Sequence, residues 1–455
     1  MQPLWEYLRA RMLEHPNQVV CENEAKMTYE ELCAFAEEHG KNIFADHNAI
    51  LCRSEMATAM ALLACLAAGK TAIPIPTRYG PLHCKKIIDR LHPPCIITDL
   101  DGELNEVFTE YDREAQKQLP AVILFTSGST GAPKGVMLNE KNLLSNVQDI
   151  CSYFPIDCHD TILIARPIYH SSVLTGEFLA ALSVGAKIVF SSEPFQPMHI
   201  LDQLKKWQVT VFGGTPTLLA TLSHFVRIPS ELKVRLLSVS GECVGIGTAR
   251  AIRKAFPGAQ VFCGYGLSEA SPRVAYLPSE LFDVAPTAAG VPIASDKLRI
   301  VRTDGKDVSR GEVGELMVSG PNVMCGYWDD ETRTKQTLCG KWLHTGDMAK
   351  RGDDGLLYIK GRKDDMIIRA GMNIYPAEIE NALSEDGRVR TVRAYGYDSQ
   401  ETQEIGLEIC GDFAEVAEVM ELCRKKLSPY QIPSKIDIRE EIHMLSGGKR
   451  KRGAA

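Results

Sequence analysis

Hydrophobic residues recur along the first two thirds of the chain in two alternating patterns. Longer apolar or amphipathic stretches such as "ALLACLAAG" and "HILDQLKKW" predict helices, and short apolar runs between them predict strands. The strand-like runs are "PCIITD", "AVILF", "KIVF", "VTVFGG", "RLLSVS" and "QVFCGYG". Helices that alternate with such strands are typical of α/β layers built on largely parallel sheets.

The pattern changes twice towards the C-terminus. From about Asp296, "KLRIVRTDGKDVSRGEVGELMVSG" has shorter strands broken by turn residues, which predicts a small β-barrel-like part. After "GRKDD" we predict a compact α+β segment whose first helix begins at Pro376, because proline and early glutamates favour a helix N-terminus. The sequence therefore predicts a large N-terminal domain over residues 1–363 and a small C-terminal domain over residues 364–455.

The size and charge of the chain narrow its function. At 455 residues it is longer than one hydrophobic core normally organises, which agrees with at least two domains. Its 51 basic and 58 acidic residues give a net charge of -7, which argues against a general nucleic-acid-binding protein. The basic run at residues 449–452, in "SGGKRKRGAA", is by itself typical of a solvated tail.

The apolar stretches and the cysteines of the chain indicate the cellular compartment in which the protein is expected. The longest apolar stretch, "AMALLACLAAG" at residues 59–69, is too short to span a bilayer and predicts a buried helix that ends at a glycine. The N-terminal residues lack the apolar core of a secretion signal. Fourteen cysteines without a CxxC pair indicate neither a zinc ribbon nor a disulfide framework. We therefore expect a cytoplasmic protein with no membrane span.

A loop rich in glycine and hydroxyl side chains is the clearest chemical feature. Two strand-like runs flank it in "AVILFTSGSTGAPKGVML", and its candidate phosphate-binding residues are Thr126, Ser127, Gly128, Ser129, Thr130, Gly131 and Lys134. Glycines let backbone N–H groups approach an anion, hydroxyls add donors, and a lysine adds positive charge. The alternative is an ordinary hairpin, since serine, threonine and glycine also form turns.

The segment "TSGSTGAPKG" resembles the signature loop of the adenylate-forming superfamily. That superfamily includes acyl-CoA synthetases, the adenylation domains of peptide synthetases and firefly-type luciferases. Further stretches resemble its other motifs, in the same order and over nearly the whole chain: "MTYEEL", "LAAGKTAIPI", "RPIYHSS", "GYGLSEAS", "GELMVSGPNVMCGYW", "HTGDMAK" and "GRKDDMIIRAGMNIYPAEIE". The last of these looks more like acyl- and aryl-CoA ligases than like amino-acid adenylation domains.

The resemblance implies the residues of a nucleotide site. Residues 126–134 would hold the β- and γ-phosphates of ATP, and Glu269 would bind Mg²⁺ and act in catalysis. Tyr265 would pack on adenine, Asp347 would accept hydrogen bonds from the ribose, and Arg362 would contact ribose or phosphate. The other implied residues are Ser240, Gly241, Glu242, Gly264, Gly266 and Ser268. A surface acid at 269, a core tyrosine at 265 and a structural aspartate at 347 are the alternatives.

The resemblance also implies residues for the later steps of the reaction. Asp364 would be the hinge about which the C-terminal domain rotates between adenylation and thioester formation. Gly371 would line the channel that admits the thiol. Lys449 would bridge the substrate carboxylate and the α-phosphate, with Lys451 as the alternative if the register slips.

The substrate-side loop "RPIYHSS" places His170 among the catalytic candidates. The candidate pocket residues are His170, Val173, Gly213, Thr215 and Gly264. An amino-acid substrate would need a carboxylate to pair with its ammonium group, and the loop has a histidine and two serines where amino-acid-activating relatives have an aspartate. This favours an acid without an α-amino group, although Glu177 remains an alternative partner for an ammonium.

The sequence thus predicts an enzyme that activates a carboxylic acid with ATP, releases pyrophosphate and transfers the acyl group to CoA. One alternative acceptor is the phosphopantetheine arm of an acyl carrier protein. A non-catalytic ligand-binding relative would have lost the charges at Glu269, Asp347 or Lys449, and all three are present. An oxidative, luciferase-like activity has no specific support in the sequence.

Overall fold

The computed structural model of the protein describes residues 3–100, 103–110, 119–127, 133–191, 195–369, 372–399, 403–440 and 442. Its helices are α1 (Leu4–Leu13), α2 (Tyr29–Gly40), α3 (Glu55–Ala67), α4 (Pro81–Leu91), α5 (Glu140–Tyr153), α6 (Ser171–Val173), α7 (Ala180–Val184), α8 (Pro197–Lys206), α9 (Pro216–Ser223), α10 (Ile246–Ala255), α11 (Glu331–Thr337), α12 (Pro376–Leu383) and α13 (Val416–Lys426). A π-helical stretch, Leu174–Leu179, joins α6 to α7.

The strands follow the runs of apolar residues noted above. They are β1 (Val19–Glu22), β2 (Ala25–Thr28), β3 (His47–Ile50), β4 (Thr71–Pro74), β5 (Cys95–Leu100), β6 (Glu103–Phe108), β7 (Val122–Ser127), β8 (Pro133–Leu138), β9 (Thr161–Ile164), β10 (Lys187–Phe190), β11 (Val211–Gly214), β12 (Leu236–Ser240), β13 (Gln260–Gly266), β14 (Arg273–Leu277), β15 (Val291–Pro292), β16 (Lys297–Val301), β17 (Gly314–Ser319), β18 (Gly326–Tyr327), β19 (Leu338–Cys339), β20 (Trp342–Arg351), β21 (Leu357–Arg362), β22 (Ile367–Arg369), β23 (Met372–Ile374), β24 (Val389–Asp398), β25 (Gln403–Gly411) and β26 (Lys435–Ile438).

Two large sheets dominate the first two thirds of the chain. A nine-stranded sheet has the order β15-β14-β13-β12-β11-β9-β10-β1-β2, and its strands from β13 to β1 are parallel. A seven-stranded sheet has the order β18-β8-β7-β4-β3-β5-β6, with β7, β4, β3 and β5 parallel. The predicted α/β layers with largely parallel sheets are confirmed.

The later strands form smaller sheets. Strands β16, β17, β20, β19 and β21 make a five-stranded antiparallel sheet in the region where the sequence predicts a small β-barrel-like part. A two-stranded ribbon, β22 and β23, is followed by the three-stranded sheet β24-β25-β26. Helix α12 begins at Pro376, as the sequence predicts.

A hydrophobic core runs between the two large sheets. Helix α3 is apolar on every side, and its residues from Met56 to Leu66 are buried, which confirms the buried helix expected at this position. The Ser54 side chain accepts a hydrogen bond from the backbone N–H of Ala57 and so begins the helix. Gly69, with φ of +66°, ends it in a left-handed conformation that favours glycine.

The C-terminal residues have a hydrophobic cluster of their own. Its buried members lie between Ile367 and Leu427 and come from β22 to β25 and from α12 and α13. This separate core supports the predicted division of the chain after residue 363, which stays a prediction. Helix α12 contacts the larger part, where the Lys360 Nζ and Glu378 Oε1 atoms are 2.7 Å apart.

In the part of the chain that the structure describes, no helix combines the length and apolar character that crossing a bilayer requires. The described cysteines form no disulfide bond, and most of them are buried.

Candidate active site

Four neighbouring parallel strands bring most of the candidate residues to one edge of the nine-stranded sheet. Strands β9, β11, β12 and β13 lie side by side, and their carboxyl ends lead into Arg166, Thr215, Gly241 and Leu267 respectively. The carboxyl ends of parallel strands meet at the same edge, which is where open α/β sheets usually bind ligands. The tertiary structure therefore gathers segments that lie up to a hundred residues apart in the sequence.

The hairpin β7–β8 carries the candidate phosphate loop. Thr126 lies opposite Lys134 across the hairpin, and the Thr126 hydroxyl is buried with no protein partner among the described residues. A Cβ atom at Gly135 would lie 3.0 Å from the side chains of Ile123 and Trp328, so glycine is required for this packing. The predicted residues Gly128, Ser129, Thr130 and Gly131 and the side chain of Ser127 lie outside the described residues.

Lys134 forms an ion pair with Glu269, the predicted magnesium ligand. Its Nζ atom is 2.5 Å from Glu269 Oε1, and the Tyr327 hydroxyl donates a 2.8 Å hydrogen bond to the same oxygen. Burial raises the pKa of Glu269, but the Lys134 ammonium and the two hydrogen bonds outweigh it and hold the pKa below its ordinary value. Glu269 is therefore a buried, ionised carboxylate.

A second group of polar side chains joins three strands beside this ion pair. The Tyr265 hydroxyl donates a 2.6 Å hydrogen bond to Asp347 Oδ2, and Arg362 Nη1 lies 3.2 Å from Asp347 Oδ1. Arg362 is opposite Asp347 in the β20–β21 pair and also donates to the Thr345 carbonyl at 2.8 Å. Burial raises the pKa of Asp347 despite the opposing effects of Arg362 and Tyr265, and the nearby Glu269 charge adds to the increase. Asp347 thus has two partners within the protein, and its predicted role toward the ribose stays a prediction beside the alternative of a structural aspartate.

The donor set fits one magnesium ion bound together with phosphate. Glu269 supplies one carboxylate, and no group of three metal-ligating side chains occurs among the residues that the structure describes. Mg²⁺ keeps several waters and usually takes only one or two protein carboxylates alongside substrate phosphates. The residues present therefore fit a metal that arrives with a nucleotide.

The "SGE" segment at residues 240–242 follows β12 at the same edge of the nine-stranded sheet. Gly241 has φ of +100°, which turns the chain sharply after the strand. The Glu242 side chain then accepts a 2.6 Å hydrogen bond from the Thr217 hydroxyl in the first turn of α9. Ser240 is buried, and its hydroxyl has no protein partner among the described residues. The structure thus shows Glu242 in a strand-to-helix connection.

The substrate-side loop contacts the "GYGLSEAS" segment. The Ser171 and Ser268 hydroxyl oxygens are 3.0 Å apart, and the Ile168 backbone N–H donates to Glu55 at 3.0 Å. His170 lies immediately before α6 with its ring centroid 4.6 Å from that of Tyr169. His170 is half-buried at the entrance to the helix, next to the residue that contacts Ser268.

Glu177 has a buried ion-pair partner within the protein. Its Oε1 atom is bound by Arg166 Nη2, and the side chains of both residues are almost fully buried. This pairing argues against the alternative in which Glu177 binds a substrate ammonium, because the Arg166 guanidinium already balances the charge of the carboxylate. Arg166 lay in a stretch that resembles a family motif, but nothing in the sequence indicated its pairing.

Three charged or polar residues of this edge were not predicted from the sequence. They are Arg166, Tyr327 and Arg273. Tyr327 could have been found from its place in "MCGYW", which closes one of the recognised motifs. Arg273 follows the "SEAS" segment, but the sequence around it does not indicate a function. Its importance depends on its burial in the tertiary structure.

The C-terminal candidates are only partly described. Asp364 is exposed in a turn between β21 and β22. Gly371 and Lys449 lie outside the described residues, as does the alternative Lys451.

Comparisons with known proteins identify chains similar to this one. A family model described as "AMP-binding enzyme" matches residues 8–328. A long-chain-fatty-acid–CoA ligase of Salmonella typhimurium is 29% identical over 378 residues, 81% of this chain and 67% of the relative. A feruloyl-CoA synthase of Amycolatopsis is 31% identical over 334 residues, covering 72% of this chain and 67% of the relative.

Solved structures show the same fold over the whole length of the chain. An o-succinylbenzoate CoA synthetase from Bacillus subtilis, in complex with its acyl-adenylate intermediate, has a TM-score of 0.84 and 25% identity over 99% of this chain and 97% of that one. The same synthetase in complex with ATP and magnesium ion has a TM-score of 0.83 and 26% identity over 99% of this chain and 98% of that one.

The fold is that of the adenylate-forming α/β enzymes, and its β7–β8 hairpin contributes Lys134 to the ion pair with the buried Glu269. The chain belongs to the AMP-binding enzyme family.

Proposed function

We propose that the protein activates a carboxylic acid with ATP, releasing pyrophosphate, and then transfers the acyl group from the adenylate to the thiol of CoA. The observation that carries the proposal is the buried Lys134–Glu269–Tyr327 cluster beside the Tyr265–Asp347–Arg362 cluster, at the edge where four parallel strands end. The named relatives are CoA ligases, which supports CoA as the acceptor.

Attack of a carboxylate on the α-phosphate brings two anions together, so the site must neutralise charge and align the reacting atoms. Mg²⁺ bound at Glu269 would neutralise part of the phosphate charge. Once the Glu269 carboxylate is bound to the metal, the Lys134 ammonium would move from Glu269 to a phosphate oxygen. The Tyr327 hydroxyl would keep Glu269 oriented during this exchange.

The nucleoside would be held by the second cluster. Asp347 has two oxygens that accept hydrogen bonds from Tyr265 and Arg362, and a ribose diol would compete for the same acceptors. Tyr265 would pack against the adenine, next to the "SGE" turn at residues 240–242. His170 would then face the acyl group, and Ser268, which contacts Ser171, would face the phosphate.

The C-terminal domain would serve both half-reactions. Residues 364–455 would rotate about Asp364 between the two steps, Lys449 would act in adenylation, and Gly371 would line the thiol channel. The separate hydrophobic core of this part supports its movement as a unit.

The decisive experiment is ATP–pyrophosphate exchange across a panel of carboxylic acids, followed by thioester formation with CoA or with a phosphopantetheinylated carrier protein. Acid-dependent exchange and a CoA thioester are expected. Absence of exchange with every acid would indicate a binding function, and thioester formed only on the carrier would assign the other acceptor.

Lys449→Ala tests the two-step arrangement. We expect loss of exchange but normal thioester formation from supplied acyl-adenylate, because the domain would by then have moved the lysine away. Equal loss of both steps would contradict this, and harm from Lys451→Ala instead would move the role by two residues.

A further inference from the structure

Two buried charged side chains lie directly against two of the predicted pocket glycines. A Cβ atom at Gly213 would be 2.4 Å from Glu177 Oε1, and one at Gly264 would be 2.7 Å from the Arg273 guanidinium carbon. Gly213 on β11 and Gly264 on β13 flank β12 in the nine-stranded sheet. Both glycines are needed here because a side chain at either position would displace a charged group.

Arg273 is a buried cation without a carboxylate partner among the described residues. Its side chain is 2% exposed, its Nη2 donates a 3.2 Å hydrogen bond to the Ser238 hydroxyl, and its Nε has no partner in the described part of the chain. A Cβ atom at Gly176 would lie 3.2 Å from Nη2, so a third glycine borders the same guanidinium. Removing an arginine from water without an anion is strongly unfavourable.

The neighbouring charges do not compensate Arg273. Arg166 and Glu177 neutralise each other, so the three residues together carry one net positive charge. Gly176 and Glu177 are adjacent in the π-helical stretch, which places the ion pair and Arg273 side by side.

Several other polar atoms around these glycines are also buried without protein partners. Within the described residues these are Arg166 Nε, Thr175 Oγ1, Glu177 Oε2, Ser240 Oγ and Arg273 Nε. Buried polar atoms are nearly always hydrogen-bonded, so a cluster of exceptions beside a candidate pocket indicates that a polar ligand completes them. An alkyl chain alone would leave every one of them unsatisfied.

We propose that the acid activated by this protein carries a second anionic group, which pairs with Arg273 beside Gly264. This proposal rests on the proposed function, since it assigns the substrate class of the same site. Dicarboxylic acids represent the class: one carboxylate is adenylated, and the other remains ionised against the guanidinium. The neutral Arg166–Glu177 pair lies next to this guanidinium.

The proposal is tested with matched acids on the unmodified protein. ATP–pyrophosphate exchange is measured with butanoic and butanedioic, hexanoic and hexanedioic, octanoic and octanedioic, and benzoic and benzene-1,3-dicarboxylic acids. For at least one pair we expect kcat/KM to favour the diacid by about 100-fold, because a site built for a polar group discriminates strongly against an analogue that lacks it.

Variants at position 273 assign the preference to the guanidinium. Arg273→Met is expected to lose most of the diacid preference while exchange with the matched monoacid is retained or improved, and Arg273→Lys is expected to keep part of the preference. Arg253→Met removes a partly exposed arginine of α10 and serves as the control, with the preference unchanged.

The possible outcomes separate the two proposals. Exchange with monoacids that equals or exceeds exchange with diacids in every pair overturns the assignment of substrate class and leaves the proposed function standing. A diacid preference that survives in Arg273→Met overturns the role of Arg273. No exchange with any acid overturns the proposed function and this proposal together.

Discussion

Two groups of buried charges meet at the edge of the nine-stranded sheet, and they differ in how their charge is balanced. In the nucleotide region, Lys134 neutralises Glu269 and Arg362 neutralises Asp347. In the acyl region, Arg273 keeps an unbalanced charge beside a neutral ion pair. The first region is balanced without a ligand and, in the proposed function, would exchange partners when the nucleotide binds, whereas the second would be completed by the proposed anion.

A third buried charge shows why the sign of the imbalance matters. Asp296 is buried, and Asn322 Nδ2 donates a 3.0 Å hydrogen bond to its Oδ2, but it has no ion-pair partner among the described residues. Burial raises the pKa of Asp296 to about 7, so this carboxyl can become neutral by taking up a proton. An arginine cannot lose its proton under such conditions, and only an anion can compensate it.

Breaking the acyl-side ion pair is expected to have the largest effect. Glu177→Gln leaves Arg166 as a buried, uncompensated cation and should lower the free energy of unfolding by about 3–5 kcal/mol, measured by urea denaturation. Glu231→Gln removes half of the surface pair with Lys205 and should cost less than about 1 kcal/mol.

The double variant Arg166→Met/Glu177→Leu should recover most of that loss, because a neutral pair is replaced by apolar groups. Equal costs for Glu177→Gln and the surface control would show that the pocket charges are solvated, and the contrast between the two regions would fail.

Glu269→Gln tests the balanced region. The rate of ATP–pyrophosphate exchange should fall by about 100-fold, since a charge that orders the metal and phosphates is lost. Stability should change less than in Glu177→Gln, because the Lys134 side chain is 20% exposed and its ammonium can reach water. Glu280→Gln, at an exposed position after β14, is the control, and exchange within about twofold of it would remove Glu269 from catalysis.

Asp296→Asn tests whether a bound proton neutralises the buried Asp296 carboxylate in the folded protein. Between the ordinary carboxyl pKa and about 7, the folded state holds a proton that the unfolded state has released, so the stability of the unmodified protein falls as pH rises through this window. The variant has no such group. Its stability relative to the unmodified protein should rise by about 3 kcal/mol from pH 5 to pH 8 in denaturation experiments.

The exposed turn residue Asp304 provides the control for this pH dependence, and Asp304→Asn should show no such trend. A constant difference between Asp296→Asn and the unmodified protein at all pH values would mean that Asp296 is ionised throughout.

Asp347→Asn should have the smallest of these effects. The amide keeps one acceptor but loses the charge that pairs with Arg362, so the KM for ATP should rise about tenfold with little change in the KM for the acid. Asp353→Asn alters the exposed turn between β20 and β21 and should leave both constants unchanged. A rise confined to the KM for the acid would place Asp347 in the acyl region instead.

The sequence was sufficient for the fold, and it named several residues that the structure brings together, although their roles stay predictions. Strand β13, the helix at Pro376 and the buried helix α3 were predictable because their apolar patterns are local. Glu269 and Asp347 were identified through motifs of the superfamily, and the structure brings both to one place beside Lys134 and Arg362.

The acyl side was not predictable in the same way. Arg166 and Glu177 are eleven residues apart, and their contact depends on the π-helical turn between them. Arg273 is a single cation in a strand, and neither its burial nor its lack of a carboxylate can be read from its neighbours. Charge balance in a core is a property of the tertiary packing, so a linear pattern contains little information about it.

The π-helical stretch Leu174–Leu179 has a consequence for how this pocket can change. Such a stretch corresponds to one residue more than a regular α-helix accommodates. A single-residue deletion within it would restore ordinary helical periodicity, close the wide turn that contains Gly176 and Glu177, and leave the flanking helices α6 and α7 in place. Gly176 and Glu177 would then leave Arg273 and Gly213, although every other amino acid of the chain stayed the same. With Arg273 in its proposed role, substrate choice would therefore depend on the length of this helix as well as on its side chains.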